Sequence, residues 1–105
     1  MRELQYLDAG AYEALSPTSA TSITAGVRSP TSGEFNNSTA LAALITVEDA
    51  PIRFTLEGTT PTAGGDGHLM SDGQSMIIEG NAVALFACVD ESAASSVKVT
   101  TYFKR

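Results

Sequence analysis

Any chemistry in this chain would have to run through one histidine, one cysteine and a few acids. His68 is the sole imidazole, and Asp66 and Asp72 flank it in the stretch Asp66-Gly67-His68-Leu69-Met70-Ser71-Asp72-Gly73. An imidazole with converging carboxylates can move protons or ligate a metal, but either role needs partners fixed in space. Here both carboxylates belong to Asp-Gly pairs, the spelling of turns, because glycine accepts positive φ at low cost. The regularly alternating acids of a calcium loop are missing. Ordinary turn residues account for this group better than a metal site does. Cys88 lies in the apolar run Val83 to Val89, away from the basic neighbours that would stabilise a thiolate, so it reads as a small buried hydrophobe. Being single, it can form no internal disulfide. Gly64-Gly65-Asp66-Gly67 has the composition of a phosphate-cradling loop but neither the following helix nor the lysine. Serines are plentiful, yet no Gly-x-Ser-x-Gly elbow occurs. The expectation is a protein that is not an enzyme, with no catalytic residue, no metal site and no cofactor.

The elements that would carry a binding role are strands. At 105 residues the chain is one domain in length. Its 43% hydrophobic content includes much alanine, with three Tyr, four Phe and no Trp, so the core must be built from Ile, Leu, Val and a few Phe. The net charge of −6 argues against nucleic acid, which needs a cationic footprint. No apolar run approaches a membrane span, and no secretory leader is spelled at Met1-Arg2-Glu3, so synthesis in the cytoplasm is expected.

Ile52-Arg53-Phe54-Thr55-Leu56 alternates apolar and polar positions, the pattern of a half-buried strand. Leu41 to Val47 is apolar on both faces, as a central strand would be. Glu48-Asp49-Ala50-Pro51 makes a turn between them. Met76 to Glu79, Val83 to Val89 and Val97 to Phe103 follow as further strands, and Ser22 to Ala25 as a short one before a turn through Asn36-Asn37. Short strands separated by turn signals predict an all-β fold. It is an antiparallel β-sandwich or small barrel, immunoglobulin-like or jelly-roll-like. Ile45, Val47, Ile52, Phe54, Leu56, Ile78, Leu85, Val99 and Phe103 are the expected core.

Residues 1 to 15 place Leu4, Leu7, Ala11 and Leu15 at helix-like spacing, interrupted by Gly10, with Tyr6 and Tyr12 between. An N-terminal arm or short helix over residues 1–18, ahead of a single β-domain over 19–105, is the expected organisation. A terminal segment this short is marginal as an isolated helix. Its apolar side chains Leu4, Tyr6, Leu7, Tyr12 and Leu15 are therefore the candidate partner-binding residues, with docking onto the chain's own sandwich the other option.

The central segment carries a resemblance. Ile52-Arg53-Phe54-Thr55-Leu56-Glu57-Gly58-Thr59-Thr60-Pro61-Thr62, then Gly67-His68-Leu69-Met70, then Gly73-Gln74-Ser75-Met76-Ile77-Ile78-Glu79-Gly80 resemble small virion proteins of tailed bacteriophages. Those proteins show an I-R-F-T-L-D-G-T-x-P-T strand and turn, a G-H-x-L piece and a G-D-x-L-x-L-x-G strand. The similarity spans about residues 40 to 103, with Glu57 standing where Asp is commoner. It implies a capsid cement or decoration protein on the virion surface, with the major capsid protein as partner and self-association, a homotrimer among the forms. A tail, neck or head-fibre component is the alternative. T-x-D-G-T-x-P-T also occurs in immunoglobulin-like modules of bacterial glycosidases, which leaves a carbohydrate-binding module as a further one.

Overall fold

Val97, Val99, Thr101 and Phe103 fall on one face of a nine-residue strand because side chains alternate along extended backbone, and all four are fully buried. The computed structural model describes residues 7–24 and 40–104. Among them are eight strands: β1 Leu7–Leu15, β2 Thr21–Ser22, β3 Ala42–Glu48, β4 Ile52–Thr55, β5 His68–Met70, β6 Ser75–Glu79, β7 Ala87–Asp90 and β8 Ser96–Lys104. One short helix, α1 Asn81–Leu85, joins β6 to β7. The first sheet has the order β1-β8-β3-β6 and the second β2-β7-β4-β5. Every pairing is antiparallel.

Each connection except the β4–β5 hairpin crosses from one sheet to the other. Eight strands in two such four-stranded sheets make the jelly-roll order. The expected all-β sandwich is therefore present, in its jelly-roll form rather than as a closed barrel or an immunoglobulin arrangement of four and three strands. Between the sheets lie Ile45, Val47, Ile52, Ile78, Phe86, Cys88, Val97, Val99 and Phe103. Each large apolar side chain buried there contributes about 1.5–3 kcal/mol. At one rim, Thr24 donates its backbone N–H to Glu13 Oε1 at 2.9 Å, and its hydroxyl bonds the other carboxylate oxygen. That contact ties β1 to the segment after β2, across the sheets.

Three expectations are corrected. The N-terminal segment is neither arm nor helix from Leu7 onward. It is β1, in register with β8 from Leu7 opposite Lys104 to Leu15 opposite Val97. A boundary at residue 18 thus separates no arm from a domain, because β8 would otherwise show an unpaired row of backbone groups. Gly10, which interrupts the helical reading, marks the register shift between Ala9 and Ala11 and lies against the Phe103 ring. Val83 to Val89 is not one strand. Gly80 takes φ 62, five residues turn into α1, and extended backbone resumes at Ala87. An apolar run this short fits a helix turn as well as a strand. Val83 faces the core, whereas Leu85 is 44% exposed and does not belong to it. Lastly, β5 forms inside what the sequence presents as a connection, pairing Leu69 with Arg53. Phe54 and Leu56 sit half-buried at the core margin. The Asn36-Asn37 turn lies outside the described residues.

Candidate functional site

The two outer faces of the sandwich are finished differently. On the second sheet, Arg53 and Val89 are paired neighbours facing away from the core. The long connection after β4 folds back over them. Thr55 donates its hydroxyl to the Thr59 carbonyl, and Arg53 Nη1 donates to the Gly67 carbonyl at 3.2 Å. Gly64 N–H donates to Glu91 Oε1 at 2.6 Å. Arg53 completes the clamp with a two-pronged pair to Glu91, Nε to Oε1 at 2.9 Å and Nη2 to Oε2 at 3.1 Å. Planar guanidinium and carboxylate match in this geometry. The hydrogen bond from Arg53, then that from Gly64, holds the Glu91 carboxyl below the ordinary glutamate range. Pro61 is buried under this cover and Val89 is 7% exposed. The chain itself covers that face over Arg53 and Val89, while Leu69, paired with Arg53 at the β5 edge, stays 53% exposed.

No described residue is seen to fold over the outer face of the first sheet. Because Val97, Val99, Thr101 and Phe103 point inward, Lys98, Thr100 and Tyr102 point outward. Register then sets Tyr12 of β1 beside Thr100, Thr100 beside Leu44 of β3, and Leu44 beside Ile77 of β6. This row crosses all four strands. Tyr12 is 64% exposed at its end, with Leu44 and Ile77 half-buried along it. Tyr102, half-buried, stands one row away beside Ala42. The flanking charges are few: Lys98 Nζ lies 3.7 Å from Glu48, and Glu79 closes the β6 end. Cross-strand neighbours of this kind contact one another directly, so the row is a continuous, largely apolar strip with the Thr100 hydroxyl within it. It can bind a flat apolar surface; it offers no arrangement for bond-making.

Of the expected partner-binding residues whose side chains are described, Tyr12 takes part in this surface and Leu15 does not. Leu15 is 5% exposed and packs in the core. Leu4 and Tyr6 lie outside the described residues, and Leu7 is placed as the first residue of β1. Alternation within β1 separates Tyr12 from Leu15, which is why the five do not form one patch. Leu44, Ile77 and Tyr102 are members the sequence reading did not single out. The signal for Leu44 was present in the two-faced apolarity of Leu41 to Val47. Nothing local could place it beside Ile77.

His68 is exposed, its ring 5.4 Å from that of Phe54. Among the described residues no group of three or more His, Cys, Asp or Glu side chains could hold a metal ion. Burial, with the nearby Asp90 charge, pushes the Cys88 thiol up to about 12. An open groove of about 220 Å³ sits at the β5–β6 rim, lined by Phe54, Leu69, Met70, Gln74, Ser75 and Met76. Comparison with family models, with curated proteins and with solved structures finds no match.

Proposed function

We propose that the chain is a structural protein of a tailed-bacteriophage virion. In this reading it is a cement or decoration protein that lays the outer face of its first sheet on the major capsid protein. The observation that carries the reading is the strip Tyr12, Thr100, Leu44, Ile77, which no described residue is seen to cover, on a sandwich whose opposite face is partly covered by its own loop. A cement protein performs no reaction and needs a stiff platform with one adhesive side. Tyrosine is among the usual anchors of such contacts, and the aliphatic neighbours add apolar area that excludes water. The resemblance over residues 40 to 103 supports the same class. Jelly rolls recur in capsid and lectin domains, an analogy of fold that raises the prior without identifying a ligand.

The test uses purified virions that contain this chain. A copy number approaching that of the major capsid protein is expected. A few copies per particle would place the chain in a tail, neck or head fibre instead. Leu44→Glu puts a charge on the outer face of a central strand, away from the core. It should leave the folded chain's circular dichroism unchanged and strip it from particles. Full occupancy by that variant would refute the assigned face.

A further inference from the structure

β6 is the one edge of this sandwich that is neither bulged nor cut to two or three residues among the described residues. Val47 N–H donates to the Gln74 carbonyl at 3.0 Å, and Gly80 N–H donates to the Leu41 carbonyl at 2.9 Å. In an antiparallel ladder, hydrogen-bonded pairs alternate with pairs that exchange no bond. Gln74, Met76, Ile78 and Gly80 therefore aim their main-chain groups at β3, while Ser75, Ile77 and Glu79 aim theirs outward. Among the described residues β6 pairs with β3 alone. Proteins blunt such edges with bulges, very short strands, proline or charged side chains; the one charge on β6 is Glu79, at its last position. The other three edges follow that rule: β1 has its register shift, β2 has two residues and β5 has three. β6 has five, Ser-Met-Ile-Ile-Glu, in unbroken register with β3.

We propose that β6 pairs antiparallel with β6 of a second copy, joining two first sheets into one continuous sheet. A two-fold contact requires a patch that complements itself, and this strand does so about Ile77. With Ile77 opposite its counterpart, Ser75 stands opposite Glu79, and each outward residue exchanges both main-chain bonds. The Ser75 hydroxyl can donate to the facing carboxylate. On the inner side Met76 meets Ile78, beside the rim groove that the second copy would roof. The only charges on the strand are the two Glu79 carboxylates. In this register they lie four residues apart along the strand, roughly 13 Å. That separation exceeds the screening length of about 8 Å at physiological salt. Any register that slides the two Glu79 together also sets aside the Ile77 contact, so charge and packing select the same alignment. The inference is independent of the capsid reading. It gives the expected self-association a two-fold rather than a three-fold form.

Sedimentation of the purified chain between about 1 and about 300 μM should show a concentration-dependent dimer, the range in which a small edge contact dissociates. Amide exchange at the dimeric end should be slowed at Ser75, Ile77 and Glu79. Ile77→Lys, which places a charge at the centre of the pairing, should be monomeric throughout with unchanged circular dichroism. Should that variant fail to fold, Ser75→Pro carries the same expectation. It removes an outward N–H at the first strand position, where proline is tolerated. A monomeric wild type, a dimer that survives the substitution, or a trimer would overturn the proposal. Protection of the three amides that appears only on virions would also overturn it, since a different chain would then occupy the edge.

Discussion

Gly10→Ala is the sharpest perturbation the fold offers, because it adds one methyl group at a known place. A Cβ on Gly10 would lie 2.2 Å from Cδ1 and 2.5 Å from Cε1 of Phe103. Ordinary contact begins at 3.4 Å, so either the ring or β1 must move. Phe103 is fully buried between the sheets and has nowhere to retreat without disturbing its neighbours. Overpacking of this sort costs about 1–3 kcal/mol. Gly10 is not among the residues with left-handed φ, so alanine meets no backbone strain there. Restricting the unfolded chain returns about 0.4–1 kcal/mol. The net expectation is a loss of about 1–2 kcal/mol. In a domain of this size that lowers the melting temperature by roughly 5–10 °C.

Urea and thermal melts followed by circular dichroism measure the loss, and a double-mutant cycle identifies its source. In the Phe103→Val background the ring atoms that clash are gone. Gly10→Ala should there be neutral or slightly stabilising. An equal cost in both backgrounds would refute the contact as the reason for glycine, and so would a neutral single variant.

Two further outcomes follow from the electrostatics. Glu91 is held below the ordinary glutamate value of 4.5 by Arg53 and the Gly64 N–H. Its contribution is therefore complete above that value and is lost as pH falls through the lower folded-state value. Urea midpoints should drop across that window for wild type but less for Glu91→Gln, and identical pH profiles would show the clamp to be idle. Cys88 is fully buried with its thiol pushed up to about 12. A thiol reagent at neutral pH should label it only in denaturant, and rapid labelling of the native protein would show that the second sheet opens.

Much of the fold was legible because its signals are local. Val97 to Phe103 alternates cleanly, and it became the strand on which the first sheet is built. Ile52 to Leu56 and Glu48 to Pro51 likewise gave a strand and a turn near where they lie. The failures share a cause. Leu4, Leu7, Ala11 and Leu15 fit helical spacing, but the open side of β8 decided the matter, and that partner is some ninety positions away in the chain. Residues 81–85 turned helical because Gly80 left extended backbone, while the apolar run itself suited either state. Arg53 and Glu91 are two charged residues 38 positions apart, and neither shows in sequence that it will grip the other.

The same clamp explains why the connection after β4 leaves the outer face of the first sheet uncovered. A four-stranded sheet has two sides, and its inward side is fixed by parity alone. Whether the outward side stays open depends on the connections. Residues 56 to 67 spend their length over the second sheet, held by Thr55, Arg53 and Glu91, and so cannot reach the first. The strip from Tyr12 to Ile77 is uncovered among the described residues for that reason, and it runs to the edge strand β6. Ile77 consequently belongs to both proposals, whereas Leu44 belongs to one. Leu44→Glu should abolish attachment to particles while the isolated chain still dimerises, because its side chain leaves the edge untouched. Ile77→Lys should abolish both. If Leu44→Glu instead broke the dimer and spared attachment, the adhesive face and the self-pairing edge would each have been assigned to the wrong surface.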